Sequence, residues 1–311
     1  MKTNRMFQRL WAGLLGLILA ISCVASSAQG AELRSGSLTV CFGQEEAGFS
    51  GVTFRLYRVA DLSETGKYTL SGAFADYPVT LEGLTASGWR ALAQTLAAYV
   101  ARDGLEHQMV GKTGSDGRVT FSGLMAGLYL VTGDRYVEGG TVYTPESLLV
   151  SLPGQTPSDT WDWEIEVHCK FDWEEQPQEA VERTVRKIWQ DDGNLMSRPE
   201  NIRVQLLENG QVVEAVILNE ENGWSYTWQG LDGGSRWQVV EAETPDGYTV
   251  SVSQDGTVFL LTNTWMDTVE PEQPPQLPQT GMLWWPVPIL ATGGLLLLIL
   301  GITTRRKGKG K

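Results

Sequence analysis

Short runs of β-forming residues alternate with turn signals along most of this 311-residue chain. The runs are rich in Val, Thr, Tyr and Trp, and pairs of Asp-Gly or Asn-Gly separate many of them. These pairs stand at Asp116-Gly117, Asn209-Gly210, Asn222-Gly223, Asp246-Gly247 and Asp255-Gly256. The runs on either side of Asn209-Gly210 predict a hairpin with a type I′ turn. The pattern as a whole predicts an all-β protein made of β-sandwiches.

One stretch between Ser87 and Asp103 has helical spacing instead. Its large apolar residues recur every three or four positions, at Trp89, Leu92, Leu96 and Val100. They therefore share one helix face. Ser87 is expected to cap the start of the helix and Gly104 to end it. Such a stripe is more typical of a helix that covers a sandwich core than of one that binds a partner.

Composition excludes several classes of function. The formal net charge is −13, and it becomes about −21 without the three basic residues before position 30 and the five after position 304. So negative a chain is not expected to bind nucleic acid or anionic lipid. With three Cys and two His, a transition-metal site is not expected. The sequence shows no phosphate loop and no Ser/His/Asp arrangement, so neither a cofactor nor an enzymatic activity is predicted. Asp191–Asn194 is interpreted as a turn, because it lacks the later Glu of a calcium loop.

The N-terminal 30 residues predict a signal peptide. Basic residues precede the apolar run Leu10–Val24, and small residues follow it. The exported chain then divides by composition into a first domain (33–171), an acidic linker with Pro and Gln (172–180), a second domain (181–266) and a Pro-rich stalk (267–276).

The C-terminal segment combines three features. A pentapeptide comprises Leu277, Pro278, Gln279, Thr280 and Gly281. An apolar stretch long enough to span a bilayer follows at 282–304, and a basic tail ends the chain at 305–311. This arrangement resembles the LPXTG sorting signal of Gram-positive surface proteins. The alternative, an ordinary single-span anchor, leaves the pentapeptide unexplained.

The resemblance implies that a sortase transpeptidase cuts between Thr280 and Gly281. It then joins the Thr280 carbonyl to cell-wall peptidoglycan. The membrane would hold only the precursor, and the mature protein would lie on the surface of a Gram-positive cell, bound covalently to its wall.

Residues 181–265 carry three landmarks in order. They are Thr184–Asp191 with its Lys-x-Trp core, Trp237–Glu241 continuing to Thr244–Tyr248, and Leu261–Trp265. Together they resemble the collagen-adhesin B-type domain. In that family a Lys of the first strand, a Glu and an Asn of the last strand form an intramolecular isopeptide bond. The resemblance implies Lys187, Glu241 and Asn263 in these roles.

Physical chemistry supports this assignment independently of the family. Val185, Lys187 and Trp189 lie on one face of a strand, so Lys187 is expected to point into the core. Burial disfavours charge on both Lys187 and Glu241, which leaves a nucleophilic amine beside a protonated acid. The alternative is an ordinary Lys–Glu pair beside a turn Asn.

The first domain resembles the N-terminal domains of sortase-assembled pilins. The likeness rests on Gly36–Val40, Gly51–Tyr57 and Gly127–Val131. The crosslink residues do not carry over, because Phe42 stands at the expected lysine and Gly133 near the expected acid. Cys41 and Cys169 lie in the presumed first and last strands, and a disulfide between them is expected as a substitute. The alternation of Cys41 with its apolar neighbours requires a bulge or an outward-facing bridge.

The end of this domain resembles the pilin motif WxxxVxVYPK. Trp161, Ile165, Val167 and Lys170 keep their places, whereas His168 and Cys169 replace Tyr and Pro. In pilins this Lys joins one subunit to the next, so the resemblance implies Lys170 as a candidate acceptor for other pilin subunits. The alternative is a solvated lysine at a strand end. The sequence therefore predicts a pilin-like sortase substrate, with a monomeric wall-anchored adhesin for a host or neighbouring-cell ligand as the alternative.

Overall fold

The computed structural model describes residues 34–44, 47–155, 160–175, 180–193 and 198–266. The predicted signal peptide, stalk, sorting pentapeptide, membrane segment and basic tail all lie outside these ranges. Within the described ranges, no helix has both the length and the hydropathy needed to cross a membrane.

The first part of the chain is almost entirely β-structure. Its elements are β1 (Gly36–Cys41), β2 (Gly43–Gln44), β3 (Ala47–Gly48), β4 (Thr53–Leu62), β5 (Tyr68–Leu70), a 3₁₀ turn (Gly72–Phe74), α1 (Ala86–Asp103), β6 (Met109–Lys112), β7 (Arg118–Leu124), β8 (Gly127–Gly133), β9 (Tyr136–Glu138), β10 (Thr141–Pro145), β11 (Leu148–Leu152), β12 (Gly154–Gln155), β13 (Trp161–Asp162), β14 (Glu164–His168) and β15 (Phe171–Glu175).

We call the described residues 34–175 the first half and 180–266 the second half. Two main sheets enclose the core of the first half. One has the strand order β14-β1-β7, and the other has the order β11-β8-β4-β5, with β6 also paired to β4. Leu38 and Val40 of β1 face Phe54 and Leu56 of β4 across a common apolar core. On each strand the inward-facing residues lie two positions apart, so successive inward residues form successive layers of the core. The all-β class predicted from the turn pattern is confirmed.

The predicted linker is wrong for part of its length. Phe171–Glu175 forms β15, which pairs antiparallel with β10 and belongs to the first half. Alternating acids do not prevent pairing at a sheet edge, where their side chains stay in solvent. Composition alone could not distinguish such an edge strand from a linker.

The second half is a smaller sandwich. Its strands are β16 (Ala180–Gln190), β17 (Asn201–Glu208), β18 (Gln211–Asn219), β19 (Ser225–Asp232), β20 (Trp237–Glu241), β21 (Tyr248–Asp255) and β22 (Val258–Trp265). One sheet has the order β19-β16-β22-β21 and the other has the order β18-β17-β20. The predicted hairpin is confirmed, because Asn209 and Gly210 join β17 to β18 with φ of 50° and 87°, as a type I′ turn requires.

Helix α1 covers the outer face of the β4–β8 sheet, as its stripe predicts. Its predicted cap was wrong by two residues, because Thr85, and not Ser87, accepts the hydrogen bond from the Gly88 N–H. Gly104 ends the helix in the left-handed conformation.

The opposite side of α1 packs on the second half, a contact that the sequence did not reveal. The buried Thr95 hydroxyl accepts a hydrogen bond of 2.7 Å from the Val252 N–H of β21. The Val250 N–H donates to Pro78 O at 2.8 Å. One apolar cluster runs through the helix into both halves, and the described residues from 34 to 266 belong to a single compact unit.

Replacing Thr95 by Val is expected to weaken this junction. The substitution keeps the side-chain shape but leaves the Val252 N–H without its partner, at a cost of about 1–3 kcal/mol. Urea unfolding would measure the loss. Thr95→Ser keeps the hydroxyl and serves as the control. Equal stability of the Val and Ser variants would contradict the role of this hydrogen bond.

Candidate functional site

The first and last strands of the second half lie side by side. β16 and β22 pair in parallel, with Lys187 opposite Leu261 and Trp189 opposite Asn263. Because side chains alternate along a strand, Lys187 and Asn263 project from the same face of the sheet. That face is the inner one, and the two residues are 6% and 0% exposed.

Glu241 approaches from the facing sheet. It is the last residue of β20 and is 1% exposed. The Asn263 side-chain nitrogen Nδ2 donates to Glu241 Oε1 at 3.1 Å. The other oxygen of each group, Glu241 Oε2 and Asn263 Oδ1, is buried without a hydrogen-bond partner. The three residues of the predicted triad are thus all buried inside the second half, where Glu241 and Asn263 are hydrogen-bonded to each other.

Burial sets the charges in this cluster. It lowers the pKa of Lys187, an effect that the nearby Glu241 carboxylate opposes. Burial likewise raises the pKa of Glu241, against the opposing charge of Lys187. Lys187 Nζ lies 3.8 Å from the centroid of the Trp189 ring and donates to Ile188 O at 3.1 Å. Both groups are therefore biased toward their neutral forms.

An ion pair beside the triad escaped the sequence analysis. Arg198 donates two hydrogen bonds of 2.6 Å to the carboxylate of Asp191, and the Tyr248 hydroxyl donates a third at 3.0 Å. Arg198 also stands over the Trp189 ring. Asp191 does begin a turn, since its carboxylate accepts from the Gly193 N–H. The available signal is the acid that follows Lys-x-Trp, which the sequence assigns to the first-strand landmark and to a turn but not to an ion pair.

Asp191→Asn is expected to lower stability by about 2 kcal/mol at pH 7. The hydrogen bonds from Arg198, with further help from Tyr248, lower the pKa of Asp191 to about 2. A lowered pKa stabilises the fold above the ordinary pKa near 3.8, and this contribution is lost as pH falls toward 2. The free-energy difference between wild type and variant, measured by urea unfolding, should therefore shrink between about pH 5 and pH 2. A pH-independent difference would contradict this explanation.

An aromatic cluster fills the corresponding region of the first half. Phe42, 1% exposed, makes edge-to-face contacts with Phe49, Phe54 and Phe171 at 5.1–5.6 Å between ring centroids. At Gly133, a Cβ atom would lie only 2.6 Å from the Phe54 ring. Phe42 and Gly133, which stand where a crosslink lysine and acid would be expected, thus belong to a tightly packed aromatic cluster.

The predicted disulfide is wrong, because Cys41 and Cys169 are both free. Cys41 ends β1, whereas Cys169 lies just after β14 and not in a last strand. The two backbones are still neighbours, because the Cys169 N–H donates to Cys41 O at 2.8 Å. The side chains, however, point to opposite faces. Cys169 is buried against Glu146 O, whereas Cys41 lies on the outer face, where Glu166 and His168 are nearby. The sequence already indicated this difficulty, because Cys41 alternates with inward-facing apolar residues. In the structure the two sulfur atoms lie on opposite faces, which prevents a disulfide.

Lys170 lies between β14 and β15, with its side chain exposed. Its carbonyl oxygen accepts hydrogen bonds from the Glu146 N–H and the Cys169 thiol. The backbone at this lysine is therefore fixed while its amine faces solvent. Of the predicted attachment residues, Lys170 is described, whereas Leu277, Pro278, Thr280 and Gly281 lie outside the described ranges.

Solved structures of surface proteins and pilins resemble this chain at low identity. A single B repeat unit of the collagen-binding surface protein of Staphylococcus aureus is 20% identical, and the match covers 76% of this chain and all of that one, with a TM-score of 0.27. The major pilin SpaD of Corynebacterium diphtheriae is 11% identical, with 75% and 98% covered and a TM-score of 0.28. The shaft pilin SpaA of Lactobacillus rhamnosus GG is 14% identical, with 75% and 98% covered and a TM-score of 0.26.

Sequence similarity is clearer over a shorter part of the chain. A collagen adhesin of Staphylococcus aureus is 34% identical over 98 residues, which is 29% of this chain and 8% of that protein. The chain thus matches only a small part of the length of this relative. Residues 183–264, which include all three members of the buried triad, match the Cna protein B-type domain.

Proposed function

We propose that this protein is a wall-anchored, pilin-like structural protein whose second half is locked by an isopeptide bond between Lys187 and Asn263. The observation that carries the proposal is the buried triad. A lysine with a lowered pKa, an acid with a raised pKa and a carboxamide are buried within the same sandwich. An ordinary buried ion pair would hold both charges and would not need the amide.

The cluster can form the bond without a cofactor. Rotating the Asn263 amide by 180° exchanges Oδ1 and Nδ2 and puts Oδ1 near Glu241 Oε1, 3.1 Å away on the present spacing. Protonated Glu241 then donates to Oδ1 while the neutral Lys187 amine attacks Asn263 Cγ. Glu241 passes the surplus proton of Nζ to Nδ2, and the Cγ–Nδ2 bond breaks. One amide forms, one ammonia leaves, and Glu241 recovers its proton.

Surrounding groups hold the nucleophile in place. Lys187 Nζ lies over the Trp189 ring, and Arg198, which is paired with Asp191, also lies over that ring, 5.6 Å from its centroid. The positive charge of Arg198 further lowers the pKa of Lys187. These residues position and tune the amine, whereas the three triad residues exchange the atoms.

The intact mass of the purified protein tests the crosslink. The expected mass is one ammonia below the sum of the residues of the processed chain, and it should not change on reduction because both described cysteines are free. Tandem mass spectra should contain a branched peptide that joins Lys187 to Asn263. A full-mass chain without the branched peptide would overturn the proposal.

Attachment would use the Thr280 carbonyl and, in polymers, the Lys170 amine. A sortase thiolate would attack the Thr280 carbonyl, release Gly281 and transfer the acyl group to an amine. That amine would belong to peptidoglycan or to Lys170 of another subunit. The protein contributes substrate groups and does not turn over.

Lys170→Arg is expected to abolish covalent polymers in cells that express the matching sortase. Arginine keeps the positive charge but is not a nucleophile at neutral pH. Immunoblots after boiling in detergent should show a ladder for wild type and a single wall-released band for the variant. Lys112→Arg changes another exposed lysine and should keep the ladder. A ladder that survives Lys170→Arg would contradict the assignment of this acceptor.

A second candidate, a monomeric adhesin, is favoured by a cleft of about 680 Å³ between the two halves. The cleft has the size of a small-ligand site. Arg135 and Arg236 line it from opposite halves, and burial lowers the pKa of both. A single band in wild-type immunoblots, together with binding of whole cells to a host surface, would favour this function over the pilin.

A further inference from the structure

The outer face of β1 and β14 brings together the only described thiol, imidazole and carboxylate that could share a metal ion. Cys41 and His168 are directly paired across these parallel strands. Glu166 lies two residues before His168 and therefore projects from the same face. One ligand atom from each of the three lies within 4.8 Å of the others.

We propose that Cys41, Glu166 and His168 bind a zinc ion. Zn²⁺ accepts sulfur, nitrogen and oxygen donors together, and it does not oxidise a thiolate as Cu²⁺ would. Its bonds of about 2.0–2.3 Å place neighbouring ligand atoms of a tetrahedral site about 3.3–3.8 Å apart. Side-chain movements of about 1 Å would close the present spacing. Binding releases the thiol proton to solvent, and water fills the fourth position.

The neighbouring groups fit this assignment. The His168 side chain is 82% exposed, with Nε2 3.7 Å from Glu166 Oε1, so its ring can turn toward a metal ion. Arg118 now donates to both oxygens of Glu166 at 2.7 and 2.8 Å. Its guanidinium is the cation that a metal ion must displace from the carboxylate. The site also accounts for His168, one of the two departures from the pilin motif.

Cobalt titration of the full chain, without a histidine tag and under a phosphine reductant, tests the site. Co²⁺ replaces Zn²⁺ in such sites, and a bound thiolate gives an intense near-ultraviolet charge-transfer band. One equivalent of Co²⁺ should produce this band in the wild type, and Zn²⁺ should remove it. Cys41→Ser should abolish the band, and His168→Gln should weaken Zn²⁺ binding at least tenfold in competition with a chromophoric chelator.

The chain provides matched controls. Cys169→Ala and His107→Gln alter the other described cysteine and histidine and should bind like wild type. Arg118→Gln should bind Zn²⁺ more tightly, because it releases Glu166. Circular dichroism would verify that each variant is folded. No charge-transfer band in the wild type, or a band that persists in Cys41→Ser, would overturn the zinc site and would leave the isopeptide proposal intact.

Discussion

Glu241→Gln is expected to leave the chain at its full mass and to lower its thermal midpoint by about 10–18 °C. The substitution removes the proton carrier but preserves side-chain shape, and the new amide oxygen can still accept from Asn263 Nδ2. Without the bond, the loop of about 76 residues between Lys187 and Asn263 is no longer closed in the unfolded chain. By analogy with disulfides, closing that loop raises the free energy of unfolding by about 4.5 kcal/mol. In a compact unit of this size, each kcal/mol shifts the midpoint by about 2–4 °C. Intact mass and calorimetry would measure the two effects on one sample.

Two further variants separate the crosslink from other effects. Glu243→Gln removes an exposed carboxylate two residues away and should change neither mass nor midpoint. Lys187→Met removes the nucleophile, so the crosslink should be lost. It also removes a buried, ionisable amine, so it should lower stability less than Glu241→Gln does. A Glu241→Gln chain that is still one ammonia light would show that Glu241 is not the proton carrier.

Much of the second half could be predicted because local and tertiary signals agree there. The Asn209-Gly210 pair permits few turns other than type I′, and the strands on either side follow from it. The inward position of Lys187 follows from its spacing of two residues from Val185, because residues two apart on a strand share one face. In both cases, the backbone geometry of a few neighbouring residues determines the outcome.

The remaining features depend on contacts between residues far apart in sequence. The Thr95–Val252 hydrogen bond joins residues 157 positions apart, and periodicity reveals one apolar helix face but not which surfaces the rest of the helix will contact. Cys41 and Cys169 illustrate the same limit. Cys169 lies after β14 and not in a last strand, and although its backbone is bonded to that of Cys41, the two side chains point to opposite faces. The same parity placed Glu166 and His168 beside Cys41, a grouping that counting Cys and His could not indicate.

Mechanical loading between Lys170 and the C-terminal side of Met266 is expected to leave the second half folded. The two residues that the proposed bond joins lie on the parallel strands β16 and β22. Force that enters at Lys170 would therefore reach Lys187, cross the bond and leave through Asn263. The residues between them would be bypassed. Of the described chain, only the stretch from Lys170 to Lys187 could extend appreciably, by at most about 60 Å at about 3.5 Å per residue.

Glu241→Gln should restore a large unfolding event under the same load. Removing the bond adds about 76 residues to the loaded path, or about 260 Å of contour length before the folded distance is subtracted. Optical-tweezers traces with handles at Lys170 and beyond Met266 would resolve the two cases. Apart from β15, which the load would pull away from β10, the first half lies outside this path, so its core should not unfold in either trace. A step of about 250 Å in the wild type would contradict the bypass, because it would mean that tension passes through the strands between Lys187 and Asn263.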